Sequence, residues 1–139
     1  MPDEPRDLDV DDERHQLYRE LTEAENSPFY NRTMKDVFVF AAAYGFFYNT
    51  RERLKRKKGT IPLSALSEAD RWLLISIAIA DRNSLDALFN IKEIYEVAQE
   101  YANGGITTLR NAIMSQEAGD PYKRIEAEIR SILPAQSSM

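Results

Sequence analysis

Sixteen residues, TMKDVFVFAAAYGFFY from Thr33 to Tyr48, constrain the fold more than any other part of this 139-residue chain. Thr33 followed by Asp36 offers side-chain oxygens to the unpaired amides of a helix start, a variant of the Thr-x-x-Glu capping pattern. Met34, Val37, Phe38, Ala41 and Gly45 then recur at the helical period. Phe40, Ala43, Tyr44, Phe46 and Phe47 make the remaining faces apolar as well, so no polar stripe follows Asp36. A helix apolar all round is buried, in a globular core or in a membrane. A bilayer needs roughly 20 apolar residues, and the run from Val37 to Tyr48 is too short, so the sequence predicts the central helix of a small helical domain. Ala41, Ala42, Ala43 and Gly45 are small enough to let neighbouring helices approach closely.

Around that helix the punctuation predicts an all-α single domain of five to six helices. Residues 1–10 are Pro- and Asp-rich with little to bury, so disorder is expected there. Leu17, Leu21 and Ala24, with Tyr18 beside them, mark a modest amphipathic helix over Asp11–Asn26, ended by Ser27-Pro28. Residues 1–26 thus read as an acidic arm with a short helix, 27–133 as the helical domain and 134–139 as a frayed tail. Thr60-Ile61-Pro62-Leu63 is extended, with Ile61 restricted by the proline after it. Ser67 to Asp70 form an N-cap for a second apolar helix, Trp72–Ala80, packed against the first. A third helical stretch runs from about Leu85, jogged near Asn90, with Leu88, Ile91, Tyr95 and Ala98 on one face. Tyr101-Ala102-Asn103-Gly104-Gly105 reads as its end, where Asn or Gly takes the left-handed conformation. Ile106, Leu109, Ala112 and Ile113 carry a fourth helix. Asp120 and Pro121 open a last one with Ile125, Ile129 and Ile132 inward.

Charge is polarised. Residues 1–25 hold ten acids against Arg6, Arg14 and Arg19, whereas RERLKRKK at 51–58 holds six bases against Glu52. Arg51, Arg53, Lys55, Arg56, Lys57 and Lys58 are therefore the candidate phosphate contacts, giving salt-sensitive binding without sequence preference. Tyr48 adds an aromatic face for a base. Read structurally instead, the same run is a solvated loop or helix extension. The opposed charges also suggest that the acidic arm competes with nucleic acid for 51–58, through a loose attraction that high salt abolishes.

Catalysis finds little support. The chain has no cysteine, which removes disulfides, thiolate metal sites and a cysteine nucleophile. His15 stands alone among charges and reads as a surface residue. Paired catalytic carboxylates need a shared cleft, and the acids fall on solvated faces or in the arm. The Gly-Gly pair lacks the lysine, the spacing and the preceding strand of a phosphate-binding loop. Met34 and Met114 read as core filler. No signal peptide or transmembrane stretch is visible, so the expected location is the cytoplasm.

The segment MKDVFVFAAAYGF (Met34–Phe46), the basic linker, IPL (Ile61–Leu63) and EYANGGITTL (Glu100–Leu109) resemble the Dnd system-associated protein 4 family, encoded beside DNA phosphorothioation genes in prokaryotic defence islands. The resemblance covers about residues 30–115. It implies a small accessory protein of a DNA-modification-linked restriction system, with larger restriction or modification subunits as partners, and it brings no catalytic residues to carry over. The expectation is a non-enzymatic adaptor without cofactor or metal, with DNA as a candidate partner and homodimerisation as a candidate association. The alternative is a helical interaction module unrelated to DNA, acting through homodimerisation or through the acidic arm as a docking peptide.

Overall fold

The computed structural model describes residues 5–115, and within them the all-α expectation is corrected by a two-stranded antiparallel sheet. In chain order the elements are β1 (Asp7–Asp11), α1 (His15–Glu23), α2 (Met34–Tyr48), β2 (Lys57–Pro62), α3 (Glu68–Arg82) and α4 (Ile91–Met114), with short 3-10 turns at Asp12–Arg14, Leu63–Ala65 and Leu85–Phe89. The helix expected from Asp120 to Ile132, the tail at 134–139 and the first four residues of the arm lie outside the described residues.

The strand β1, DLDVD, lies in the stretch expected to be disordered. Its alternation sends Leu8 and Val10 into the core, where they are 0% and 3% exposed. That is the period-2 pattern of a half-buried strand, and its acids are the intervening residues. Asp7 pairs with Pro62, Leu8 with Ile61, and Asp11 with Lys57, with a bulge between Leu8 and Asp9. The extended reading of residues 60–63 holds for Thr60, Ile61 and Pro62, which belong to a paired strand, whereas Leu63 opens a 3-10 turn.

Helix α2 starts on a reciprocal cap. The Asp36 amide donates to Thr33 Oγ1 at 3.3 Å and the Thr33 amide to Asp36 Oδ2 at 3.5 Å. Helix α3 repeats the device more tightly with Ser67 and Asp70, at 3.0 and 2.9 Å. Asn49 and Asn83 close the two helices in the left-handed conformation, φ 56° and 54°.

The third and fourth predicted helices are one. Helix α4 runs unbroken for 24 residues, and Tyr101–Gly105, expected to end a helix, sits at its centre. Glycine in a helix interior costs roughly 1 kcal/mol against alanine, so the pair needs a compensating interaction. It has one: a methyl on Gly105 would overlap the Ala41 carbonyl oxygen, and one on Gly45 would overlap that of Tyr101. Helices α2 and α4 thus cross with their backbones touching. Residues rising along one meet residues falling along the other, so the pair is antiparallel.

The core is built on this crossing. Phe38, Ala41 and Ala42 of α2 and Ala98, Ala102, Ile106 and Leu109 of α4 are fully buried. Tyr18 and Leu21 of α1, Leu74 of α3, and Leu8 and Ile61 of the sheet close around them. The expectation that α2 is apolar and buried on every side needs correction. Phe47 is 43% exposed, and on α3 Trp72 and Leu73 are 57% and 39% exposed.

Candidate functional site

The basic stretch begins where α2 ends. The Thr50 amide donates to the Gly45 carbonyl at 2.9 Å, and the chain then turns along α4, with the Glu52 amide on the Glu100 carbonyl at 3.0 Å. Between there and β2 the backbone is irregular, yet several of its polar groups have specific partners. Asn103 of α4 donates through Nδ2 to the carbonyls of Glu52 and Arg53, at 3.3 and 3.2 Å. Asp11 of β1 accepts the Lys55 amide on Oδ2 at 2.8 Å and the Glu13 amide on Oδ1 at 3.2 Å. The Asp12 amide donates to the Arg56 carbonyl at 2.9 Å.

Two buried polar side chains therefore pin the loop from opposite sides, Asn103 at 3% and Asp11 at 2% exposed. Burial alone would raise the Asp11 carboxyl, but the amides of Lys55, Glu13 and Arg56 and the charge of Arg14 bring it below its ordinary value. Gln99 completes the frame by accepting the Asp9 amide on Oε1 at 2.8 Å. Arg14 adds a further tie: it donates to the Asn103 carbonyl at 2.5 Å and forms an ion pair with Glu52. Gly104 is part of the same seat, since a methyl there would overlap the Thr50 carbonyl oxygen.

The six candidate cations separate into two groups. Arg51 turns back onto the fold, donating from Nε to Glu100 at 2.7 Å and from Nη1 to Asp81 at 2.8 Å, with its guanidinium 5.5 Å from the centre of the Tyr101 ring. Burial works against that charge, but the two carboxylates outweigh it and push the guanidinium pKa up. The Tyr101 hydroxyl donates to Asp81 Oδ1 at 2.5 Å; burial, then this bond, raise its pKa. Arg51 is thereby a brace joining the ends of α2 and α3 to the middle of α4.

Arg53, Lys55, Arg56, Lys57 and Lys58 are all exposed. Among the described residues the first four have no ion-pair partner, and Lys58 reaches Asp12 only at 3.9 Å. Arg53 and Lys57, with Leu54, Glu96, Gln99 and Glu100, line a polar cleft of about 320 Å³ between the loop and α4. Its two carboxylates, Glu96 and Glu100, oppose an anion deep in the cleft. Tyr48 packs against Tyr44 and Phe47, at ring-centre distances of 4.8 and 4.9 Å.

The arm's relation to this stretch also differs from expectation. It is not a loose, salt-displaceable partner: β1 hydrogen-bonds to β2 through the backbone and buries Leu8 and Val10, interactions that salt does not screen. Asp11, Gln99 and Asn103 were not anticipated as loop anchors. The available signal was polar residues inside apolar runs, Asn103 most clearly, because a buried amide must find hydrogen-bond partners. Among the described residues no group of His, Cys, Asp or Glu is arranged to hold a metal ion, and no helix is long and apolar enough to cross a membrane. His15 is half-buried at the start of α1.

Comparison with curated proteins and with solved structures gives no match. A family model matches residues 9–133, and its description is DNA sulphur modification system-associated protein 4.

Proposed function

The chain belongs to the DNA sulphur modification system-associated protein 4 family, and on that premise we propose that it is a non-enzymatic accessory protein of a phosphorothioation-linked restriction and defence system, contacting nucleic acid through its basic stretch. The observation that supports this reading is the pinned loop. Four exposed cations that have no ion-pair partner among the described residues, Arg53, Lys55, Arg56 and Lys57, project from a backbone anchored by Asn103 and Asp11. A preorganised set of charges loses less freedom on binding than a mobile one. Arg51 is outside this set, and Lys58 is on its edge. The partners in this reading are the larger restriction or modification subunits of the same system, and the protein works in the cytoplasm.

Fluorescence anisotropy with a short duplex tests the nucleic-acid part. Each phosphate contact contributes about 0.9 to the slope of log affinity against log salt, so four contacts give a slope of about −3 to −4. Replacing Lys55, Arg56, Lys57 and Lys58 together by Glu removes the binding while leaving the melting temperature near that of the parent. If the parent protein shows no binding at low salt, the stretch is a protein-docking surface instead. Affinity purification from the native host then reads the adaptor part directly, and recovery of the chain without any subunit of the system counts against it.

A further inference from the structure

The polar cleft between the basic stretch and α4 carries both signs of charge, Arg53 and Lys57 on one wall and Glu96 and Glu100 on the other. Glu96, Gln99 and Glu100 stand at i, i+3 and i+4, so they share one face of α4. Glu100 is held by Arg51 at 2.7 Å, whereas half-buried Glu96 has no ion-pair partner among the described residues. Gln99 is 6% exposed. The Asp9 amide donates to its Oε1 at 2.8 Å, which fixes which end of the side-chain amide is the oxygen. Its Nε2 has no hydrogen-bond partner among the described residues, and no fully enclosed side-chain nitrogen or oxygen there lacks one. The nitrogen is therefore open to the cleft that Gln99 lines, a donor held in place by burial and still to be used.

We propose that the cleft receives one unpaired nucleobase, best matched by guanine, from a strand whose phosphates lie on the basic stretch. This rests on the nucleic-acid reading above and adds what the strand presents. A carboxylate only accepts hydrogen bonds, and the Gln99 nitrogen only donates. The pairing edge of guanine carries one acceptor, O6, beside two donors, the N1 hydrogen and the N2 amino group. Glu96 takes both donors on its two oxygens while Gln99 donates to O6. Cytosine offers one donor beside two acceptors, and so fills a single oxygen of the carboxylate. This edge is free only in a base that has left its pair.

Size and charge favour the same occupant. At about 320 Å³ the cleft is at the lower end of small-molecule sites and suits a single nucleotide. A base is neutral, so it can lie beside Glu96 and Glu100 where a phosphate cannot, and the flanking phosphates fall to Arg53 and Lys57. Leu54 gives the flat face of the base an apolar wall. A basic side chain of a partner protein would suit Glu96, but it would meet like charge at Arg53 and Lys57 and give the Gln99 nitrogen no acceptor. One nucleotide uses both walls.

Fluorescence anisotropy on the full chain tests this with three labelled probes: a paired duplex, and the same duplex with one bulged guanine or one bulged cytosine. The guanine bulge should bind about tenfold tighter than the cytosine bulge, the discrimination of one good bidentate pair. Glu96→Ala should erase that ratio and raise affinity for the paired duplex, since it removes a negative charge that opposes phosphates. A merely structural role for Glu96 lowers all three affinities together. Glu96→Gln, which turns one acceptor into a donor, should reverse the order of the two bulges. Lys55→Ala, outside the cleft, should weaken all three probes by the same factor. Equal binding of the two bulges by the parent protein, or an unchanged ratio in Glu96→Ala, overturns the proposal and leaves the basic-stretch reading standing. Failure of all three probes to bind at low salt overturns both. Displacement of the guanine-bulged probe by arginine amide and not by guanosine monophosphate assigns the cleft to a basic side chain of a partner protein, and overturns the proposal too.

Discussion

Helix α2 presents two apolar faces with different packing. Toward α4 it offers Phe38, Ala41 and Gly45, and the partner answers with Gly105, so the two backbones touch. On the opposite side it offers Phe40, Ala43 and Phe47, and the described residues leave a groove there. Both faces read as apolar in the sequence. The difference lies in side-chain volume: small residues on both helices permit close approach along the crossing, whereas large rings hold neighbours apart.

The largest effect should come from the closed face. Phe38→Ala removes a fully buried ring and should cost about 3–5 kcal/mol in chemical denaturation. A loss under about 1 kcal/mol, the range of surface changes, would place Phe38 outside the core and dissolve the contrast. Next in size is Gly105→Ala. The added methyl would meet the Ala41 carbonyl oxygen and the Gly45 backbone, so overpacking should lower stability by about 1–3 kcal/mol, although alanine is the better helix former. Stabilisation by this change would mean that the helices separate without penalty. On the groove side, Phe47→Ala should cost about 1–2 kcal/mol in the full chain, as expected for partial burial of a ring. Equality with Phe38→Ala would make the two faces equivalent.

The smallest effect is one of pH. Burial works to raise the carboxyls of Asp36 and Asp70 at the groove mouth, but hydrogen bonds from Lys35 and from the cap residues Thr33 and Ser67 hold both below the ordinary aspartate value. A carboxyl depressed in the folded state adds stability that is fully present above its unfolded value and is lost as pH falls through the folded one. The melting temperature should therefore be flat above about pH 5 and drop below about pH 4. Lys35→Met should shrink that drop, since Lys35 is the charge both carboxyls share. An unchanged acid limb in that variant would assign it to Asp11, which is depressed in the same direction without Lys35.

Much of the helical layer was legible because its signals are local. Thr33 with Asp36 and Ser67 with Asp70 mark helix starts by chemistry confined to four residues, and both caps form as read. The sheet was hidden because its evidence is shared between distant segments. Residues 7–11 show the alternation of a strand, but so short a run among acids acquires meaning only once Ile61 stands across from Leu8. The break expected at Tyr101–Gly105 failed for a related reason. Gly and Asn end a helix when their surroundings are solvent, whereas here Gly104 and Gly105 admit another backbone and Asn103 holds a loop. Composition located the cations of residues 51–58 correctly in sequence. It could not separate Arg51, held by Glu100 and Asp81, from the exposed ones, because those partners come from α3 and α4.

The ladder between β1 and β2 has a consequence in time. Its two strands have all of α1 and α2 between them in the chain, so neither can pair until a long loop has closed, while the helices form from neighbours. Interactions made after the folding barrier do not set how fast a protein folds; they set how slowly it comes apart. In stopped-flow mixing, Leu8→Ala should leave the refolding rate near that of the parent and put its whole penalty into faster unfolding. The N-terminal strand would then be the clasp that determines how long each molecule keeps its basic loop in place.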